Sequence, residues 1–253
     1  MIRLYDVQER EASMFWLLAF GFASFSWKHI QQAIDSPYRS MRLLDINPVI
    51  PQHAYLKAAR GEVVTGLQKI EGYRAQIGWG VAVIDVPITH LYASINEEEN
   101  HVDYTAVSFG KVVRGTACRD GREVLMILPL PIVSDRWWVT HQFTNPKIRA
   151  VSKGMAAELV WKQIDNWKAP PNYKQRLQGM IQIPFTQGSW FLMALDEQHT
   201  LAEYHSWVDP GGSIPAGPAS QFATGSIEDT FAQMDRFAKS QTQSACASMW
   251  DMD

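Results

Sequence analysis

The chain has 253 residues, 46% hydrophobic and 19% charged, which excludes disorder and predicts a substantial core in one large domain, or one domain with an extension. A formal net charge of −3 and the lack of any basic block argue against a nucleic-acid partner, which needs a clustered cationic surface. Ten Trp and ten Met suit a binding cavity, but suit an ordinary core better.

Along the chain, residues 1–13 mix Arg3 and Arg10 with Asp6, Glu9 and Glu11. The apolar run 14–27 (MFWLLAFGFASFSW) falls short of the roughly 20 residues of a membrane span. Its length fits the apolar part of a signal peptide, but an acidic segment precedes it where a basic one is needed. It is expected as an amphiphilic helix packed on the domain or on a membrane surface. A cytoplasmic location is favoured over export or membrane association. Residues 28–54 look like a connector, because Pro37, Pro48 and Pro51 interrupt any long element. A short helix fits 51–60.

Strands are expected over 62–67 and 74–85, followed by a helix carrying Ile88, Leu91, Tyr92 and Ile95 on one side. That helix stops in Glu97-Glu98-Glu99, which is most simply a solvated face. The segments 107–114 and 123–128 flank Asp120-Gly121, a strong hairpin signal. Further strands are expected over 135–143 and 157–164, with a return to sheet over 173–183 after Pro170-Pro171. Next come two long strands, 188–195 and 201–208, ended by Asp209-Pro210-Gly211-Gly212. A helix in two pieces is expected to follow. Ser213 caps a first piece at Ile214-Pro215, and after a break at Thr224-Gly225, Ser226 and Asp229 start a second. Ile227, Phe231, Met234 and Ala238 share its apolar stripe. The order of elements is α+β, with no βαβ alternation, internal repeat or glycine-rich phosphate loop.

Cys118 and Cys246 are the two cysteines. Cys246 lies in a polar tail, so no disulfide is expected, and the lack of CxxC or HExxH spacing speaks against a metal site. No cofactor is implied.

Two motifs carry a resemblance. Ser134-Asp135-Arg136-Trp137-Trp138-Val139 is similar to a strand of START-related lipid-transfer domains. Gly188-Ser189-Trp190, Tyr204, the string Asp209 to Pro215 and the terminal helix resemble the closing half of the same family. Together they cover about 60–240. The division is then an extension over 1–54, a START-like domain over 55–242 and a polar tail over 243–253. The resemblance implies a helix-grip fold, a curved antiparallel sheet wrapped around a long C-terminal helix, enclosing an apolar tunnel. It also implies binding and carriage of a single lipid, sterol or similar hydrophobic molecule without chemistry, with transient contact to a membrane.

By the same resemblance Trp190, Leu192 and Tyr204 line the tunnel from the last two strands. Trp137 and Trp138, adjacent on a strand, point to opposite faces, so only one can be inward, and Trp138 is favoured. Phe222, Ser226, Thr230 and Met234 approach the ligand from the helix. Glu123 and Gln142 are the polar side chains expected inside. Some sterol-binding relatives carry a cavity arginine near the position of Gln142; a neutral amide there argues against a buried ion pair and against a sterol. Each apolar member of this set would serve a solid core equally well, whereas a buried tyrosine hydroxyl needs a partner.

Two other classes compete. An enzyme of the same superfamily, cyclase- or hydrolase-like, would need a cavity carboxylate such as Glu123 as general base. His90, His101, His141, His199 and His205 are scattered, and no GxSxG elbow is present. The third class is an interaction module whose interior is filled by its own side chains.

Overall fold

The structure, a computed structural model, describes residues 25–130, 133–212, 216–240, 246–247 and 250, with backbone alone for 216–225. Most of the apolar run 14–27, the Ser213 cap, the Ile214-Pro215 start and the side chain of Phe222 lie outside the described residues.

Helix α1 (Trp27–Ile34), a 3-10 turn (Pro37–Met41) and α2 (Gln52–Ala58) precede strand β1 (Val64–Gln68). Then come β2 (Ile77–Ile84), α3 (Ile88–Ile95), a second 3-10 turn (Glu98–Asp103), β3 (Phe109–Arg114), β4 (Arg122–Leu128) and β5 (Arg136–Thr144). The chain continues through α4 (Pro146–Val151), β6 (Ala156–Gln163), α5 (Pro171–Lys174), β7 (Ile181–Gln182), β8 (Phe185–Ala194), β9 (Thr200–Asp209) and α6 (Ala216–Ser240). The sheet runs in the order β1-β2-β9-β8-β6-β5-β4-β3, all antiparallel and open at both edges. This is the α+β helix-grip architecture, with α6 packed across β2 and β1 and against α3.

Several expectations are corrected. Residues 27–34 are helical because no proline falls between Ser26 and Pro37, and Ile30 is fully buried. The segment 173–183 contributes only the two residues of β7, paired in parallel with β5; Pro170-Pro171 starts a helical turn instead, with a proline in its first turn. Helix α6 is continuous through Thr224-Gly225. A glycine inside a helix costs about 1 kcal/mol relative to alanine, which burial of Ile227, Phe231, Met234 and Phe237 outweighs. The tail is fastened: Cys118 and Cys246 form a disulfide with Cα atoms 5.1 Å apart.

Opposed residues in an antiparallel ladder share a face, so the register sorts every side chain. One face carries Gly80, Tyr204, Trp190, Leu159 and Thr144 in one row, and Ser206, Gly188, Trp161, Gln142 and Arg122 in the next. Ile227 and Phe231 of α6 stand directly over Gly80, so this is the inner face. Its core also holds Leu91, Tyr92 and Ile95 of α3. The outer face presents Val81, Phe191, Met193 and Leu201 to Ile30, Ala54, Tyr55 and Ala58 of the N-terminal helices. Near β3–β5 it is covered instead by Leu177, Trp167 and Tyr173.

The outer face also buries a charged network. Glu203, 2% exposed, accepts from Arg39, from Arg42 Nη1 at 3.3 Å and from the Tyr55 hydroxyl at 2.8 Å. Glu158, fully buried, accepts from Arg42 Nε at 3.3 Å, the Leu43 amide at 3.0 Å and Asn145 Nδ2 at 2.8 Å. Arg42 lies over the Phe191 ring at 4.7 Å and reaches the Ser189 hydroxyl at 2.8 Å and His205 Nδ1 at 3.4 Å. Two arginines thus balance two carboxylates, as burial of charge requires. Among the described residues, no helix is long and apolar enough to cross a membrane and no His, Cys, Asp or Glu cluster could hold a metal ion.

Candidate functional site

The inner face is apolar toward β8, β9 and α6. Trp190, 5% exposed, and Leu192, fully buried, project inward beside Tyr204, as does Met234 from the helix. The Tyr204 ring lies 4.7 Å from Trp190, 5.6 Å from Trp161 and 6.5 Å from Phe231. Burial raises the Tyr204 hydroxyl pKa to about 12, with the Ser206 hydroxyl, two residues on and on the same face, as its hydrogen-bond partner. Gly188 makes room for Trp161, whose indole occupies the space that a β-carbon at that position would need. Tyr204 keeps accessible surface, as do Trp161, Trp138 and Met126 on the same face.

Toward β4 and β5 the face turns polar. Gln142, 4% exposed, donates from Nε2 to Thr140 Oγ1 at 3.3 Å, and its Oε1 is buried with no partner among the described residues. Because the two ends of an amide are nearly indistinguishable by shape, the site offers one unpaired amide end, acceptor or donor. Directly opposite on β4 stands Arg122, fully buried. It gives Nε to Glu98 at 3.0 Å, Nη2 to Glu98 and to Asn96 Oδ1 at 2.9 Å, and Nη1 to the Arg119 carbonyl at 2.8 Å. His101 sits nearby with Nε2–H donating to the Ser94 carbonyl at 3.2 Å. Burial pushes its pKa down, only partly opposed by Glu98, so it is neutral at pH 7.

This geometry sorts the expected site residues. Trp138, Gln142, Trp190, Leu192, Tyr204 and Met234 lie together on the inner side. Trp137 faces outward into the cluster with Leu177. Ser226 and Thr230 are half-buried on α6, and the Thr230 hydroxyl is bonded back to the Ser226 carbonyl at 2.6 Å. Glu123 is corrected. It pairs with His141, on the outer face, and forms an ion pair with the exposed Arg114 at 3.1 Å. The neighbouring Arg122 takes the inward position, and with Glu98 supplies the buried ion pair that Gln142 had argued against. The acidic cluster 97–99 is accordingly not a solvated face, since Glu97 is 6% and Glu98 2% exposed.

Phe231, Trp161, Arg122 and Glu98 were not singled out as site residues. Phe231 was legible in the helical stripe, and Trp161 as a large apolar residue in an expected strand. Two surface clefts, of about 520 Å³ beside α1 and about 230 Å³ between 44–46 and Trp207, lie away from this face.

No family model and no curated protein matches the chain. Solved structures do. A fragment of the STAR-related lipid transfer protein from Xanthomonas axonopodis matches with a TM-score of 0.59 at 17% identity, over 70% of this chain and 93% of that one. Human STARD10 matches at 0.59 and 15% identity, over 71% and 70%. Human StAR-related lipid transfer protein 5 matches at 0.56 and 13% identity, over 72% and 84%. At such identities the likeness is one of fold: the chain has a START-like, helix-grip fold.

Proposed function

We propose that this chain binds a single hydrophobic molecule on the inner face of its sheet, under α6, and carries it without chemical change. The observation that supports this most is the accessible surface kept by Tyr204, Trp161, Trp138 and Met126 on the inner face, where a filled core would leave large apolar side chains almost none. The names of the matching lipid-transfer structures point the same way. Removing about 300 Å² of apolar ligand surface from water contributes roughly 7 kcal/mol, before the cost of association.

The polar end narrows the ligand chemistry. Arg122 commits its donors to Glu98, Asn96 and Arg119, so it offers no free charge to an anionic head group. The unpaired Gln142 amide and the Thr140 hydroxyl suit a neutral hydroxyl, ester or amide. Loading and release are proposed to occur at a membrane surface, the source of such molecules. Glu123, the carboxylate an enzymatic reading required, is on the far side of the sheet.

Native mass spectrometry of protein purified without added ligand tests the reading. A retained lipid-like mass, neutral in its head group, is the expected result. A clean apo mass, with no binding of an NBD-labelled monoacylglycerol, would overturn it. Turnover of such a molecule would replace the carrier with an enzyme.

A further inference from the structure

A second amide stands beside Gln142 on the inner face. Gln163 opposes Thr140 in the β5–β6 ladder, and Trp161, two residues before it, opposes Gln142, so all four share one face. Alternation along β6 agrees: Lys162 lines the cleft beside Trp207, and Ile164 packs in the cluster with Leu125 and Trp137, both on the outer side. Gln163 Nε2 donates to the Ile183 carbonyl at 3.4 Å, and its Oε1 is buried without a partner among the described residues. A carbonyl can only accept, so the orientation of this amide is fixed and its open end is an acceptor. Gln142 differs. Its neighbour Thr140 is a hydroxyl, able to donate or accept, which leaves the open end of Gln142 free to do either. Diagonal neighbours of this kind lie about 7–8 Å apart, a gap that one small polar head group spans. Trp161, beside both amides, keeps accessible surface.

We infer that Gln163 and Gln142 form a head-group clamp that demands a hydrogen-bond donor, so that the ligand is a neutral lipid bearing free hydroxyls, and a plain ester, ketone or ether is selected against. One hydroxyl donates to Gln163 Oε1. A second exchanges a hydrogen bond with Gln142, in whichever sense Thr140 leaves open. The vicinal diol of a monoacylated glycerol meets both conditions. A carbonyl or ether oxygen has no proton to give, so beside such a ligand Gln163 stays unpaired in the interior, and a buried polar group left unpaired is the costly case. The terminal torsion of a glutamine is broad, so each amide can turn toward a hydroxyl without leaving its rotamer. The acyl chain then runs toward Trp190 and Tyr204, where the face is apolar. This inference rests on the carrier reading and adds to it which head groups are held.

The test uses the full chain and two NBD-labelled probes with the same acyl chain, the glycerol monoester and the propyl ester, which lacks both hydroxyls. Dissociation constants are measured by fluorescence titration for the parent, Gln163→Met and Gln142→Met, each checked for native circular dichroism. The readout is the ratio of the two constants, because the unequal water solubility of the probes cancels between parent and variant. Gln163→Met is expected to cut the preference for the diol by roughly tenfold or more, through weaker binding of the diol alone. Gln142→Met is expected to do the same. If Gln163→Met does not fold, Gln163→Asn, which draws the amide back by one methylene, carries the same expectation. An unchanged ratio in the Gln163 variant, with both probes still bound, overturns the clamp and leaves the carrier reading standing. Equal losses for both probes assign Gln163 to holding Ile183 in place, and overturn it too. Failure of the parent to bind either probe overturns the carrier reading, and the clamp with it.

Discussion

Gly80 lets α6 approach the sheet, and replacing it with alanine should show how closely. A β-carbon at Gly80 would lie 2.6 Å from both Ile227 Cγ2 and Phe231 Cε2. Ordinary carbon–carbon contact is about 3.5–4.0 Å, so roughly 1 Å must be found on two sides at once. Ile227 is β-branched and stiff at χ1. Phe231, 1% exposed, is held by Trp190 at 5.2 Å. Overpacking of this kind costs about 1–3 kcal/mol. Alanine recovers roughly 0.5–1 kcal/mol by being less free than glycine in the unfolded chain. The net expectation for Gly80→Ala is a loss of about 1–2 kcal/mol. At about 2–4 °C per kcal/mol for a domain of this size, Tm should fall by roughly 2–8 °C, followed by circular dichroism with a parallel urea titration. Phe231→Leu in the same background should relieve part of the loss, giving a coupling energy above about 0.5 kcal/mol in the double-mutant cycle. A Gly80→Ala protein as stable as the parent, or strictly additive effects, would refute the close approach.

Three further outcomes are expected. Glu203→Gln leaves Arg39, Arg42 and Tyr55 facing a neutral amide, and urea unfolding should report a loss on the order of 3–5 kcal/mol; under 1 kcal/mol would mean the network is not a buried ion pair. His205, 2% exposed beside Arg42, has its pKa lowered to about 3, first by burial and then by that arginine. The unfolded state therefore binds the extra proton between about pH 6.5 and 3, and the stability present above pH 6.5 is lost on acidification, by at most about 1.4 kcal/mol per pH unit. His205→Asn should flatten the fall in Tm between pH 7 and 5, and an unchanged slope would assign the loss to other groups. Tyr204→Ala should lower uptake of an NBD-labelled monoacylglycerol while leaving the far-ultraviolet spectrum native. Unaltered uptake would remove β9 from the binding face.

Much of the fold was legible because the informative segments are local. The apolar hairpin 188–208, the Asp120-Gly121 turn and the stripe Ile227, Phe231, Met234 and Ala238 each declare their element within a dozen residues. Period-2 alternation likewise put Trp137 and Trp138 on opposite faces, and the register turns Trp138 inward. It failed at Arg122-Glu123, where adjacent polar residues look alike to an alternation rule and only the register with Gln142 decides which one enters. The contacts Glu98–Arg122 and Cys118–Cys246 span 24 and 128 positions, so nothing nearby in the chain announces them. A tail read as polar proved to be anchored, and an acidic run read as solvated proved to be buried. The outer network was overlooked for the same reason, although Glu158 and Glu203 interrupting otherwise apolar strands were a usable sign.

Strands β8 and β9 serve two masters. Along β9, Glu203 and His205 join the charged network while Ala202 and Tyr204 turn toward α6; along β8, Ser189 and Phe191 alternate with Trp190 and Leu192 in the same way. A single-residue insertion in either strand would exchange the roles, delivering a carboxylate to the aromatic side and a tyrosine to the arginines. These two strands should therefore tolerate substitutions but reject odd-numbered length changes, and grafting a new ligand preference here means rewriting every second position.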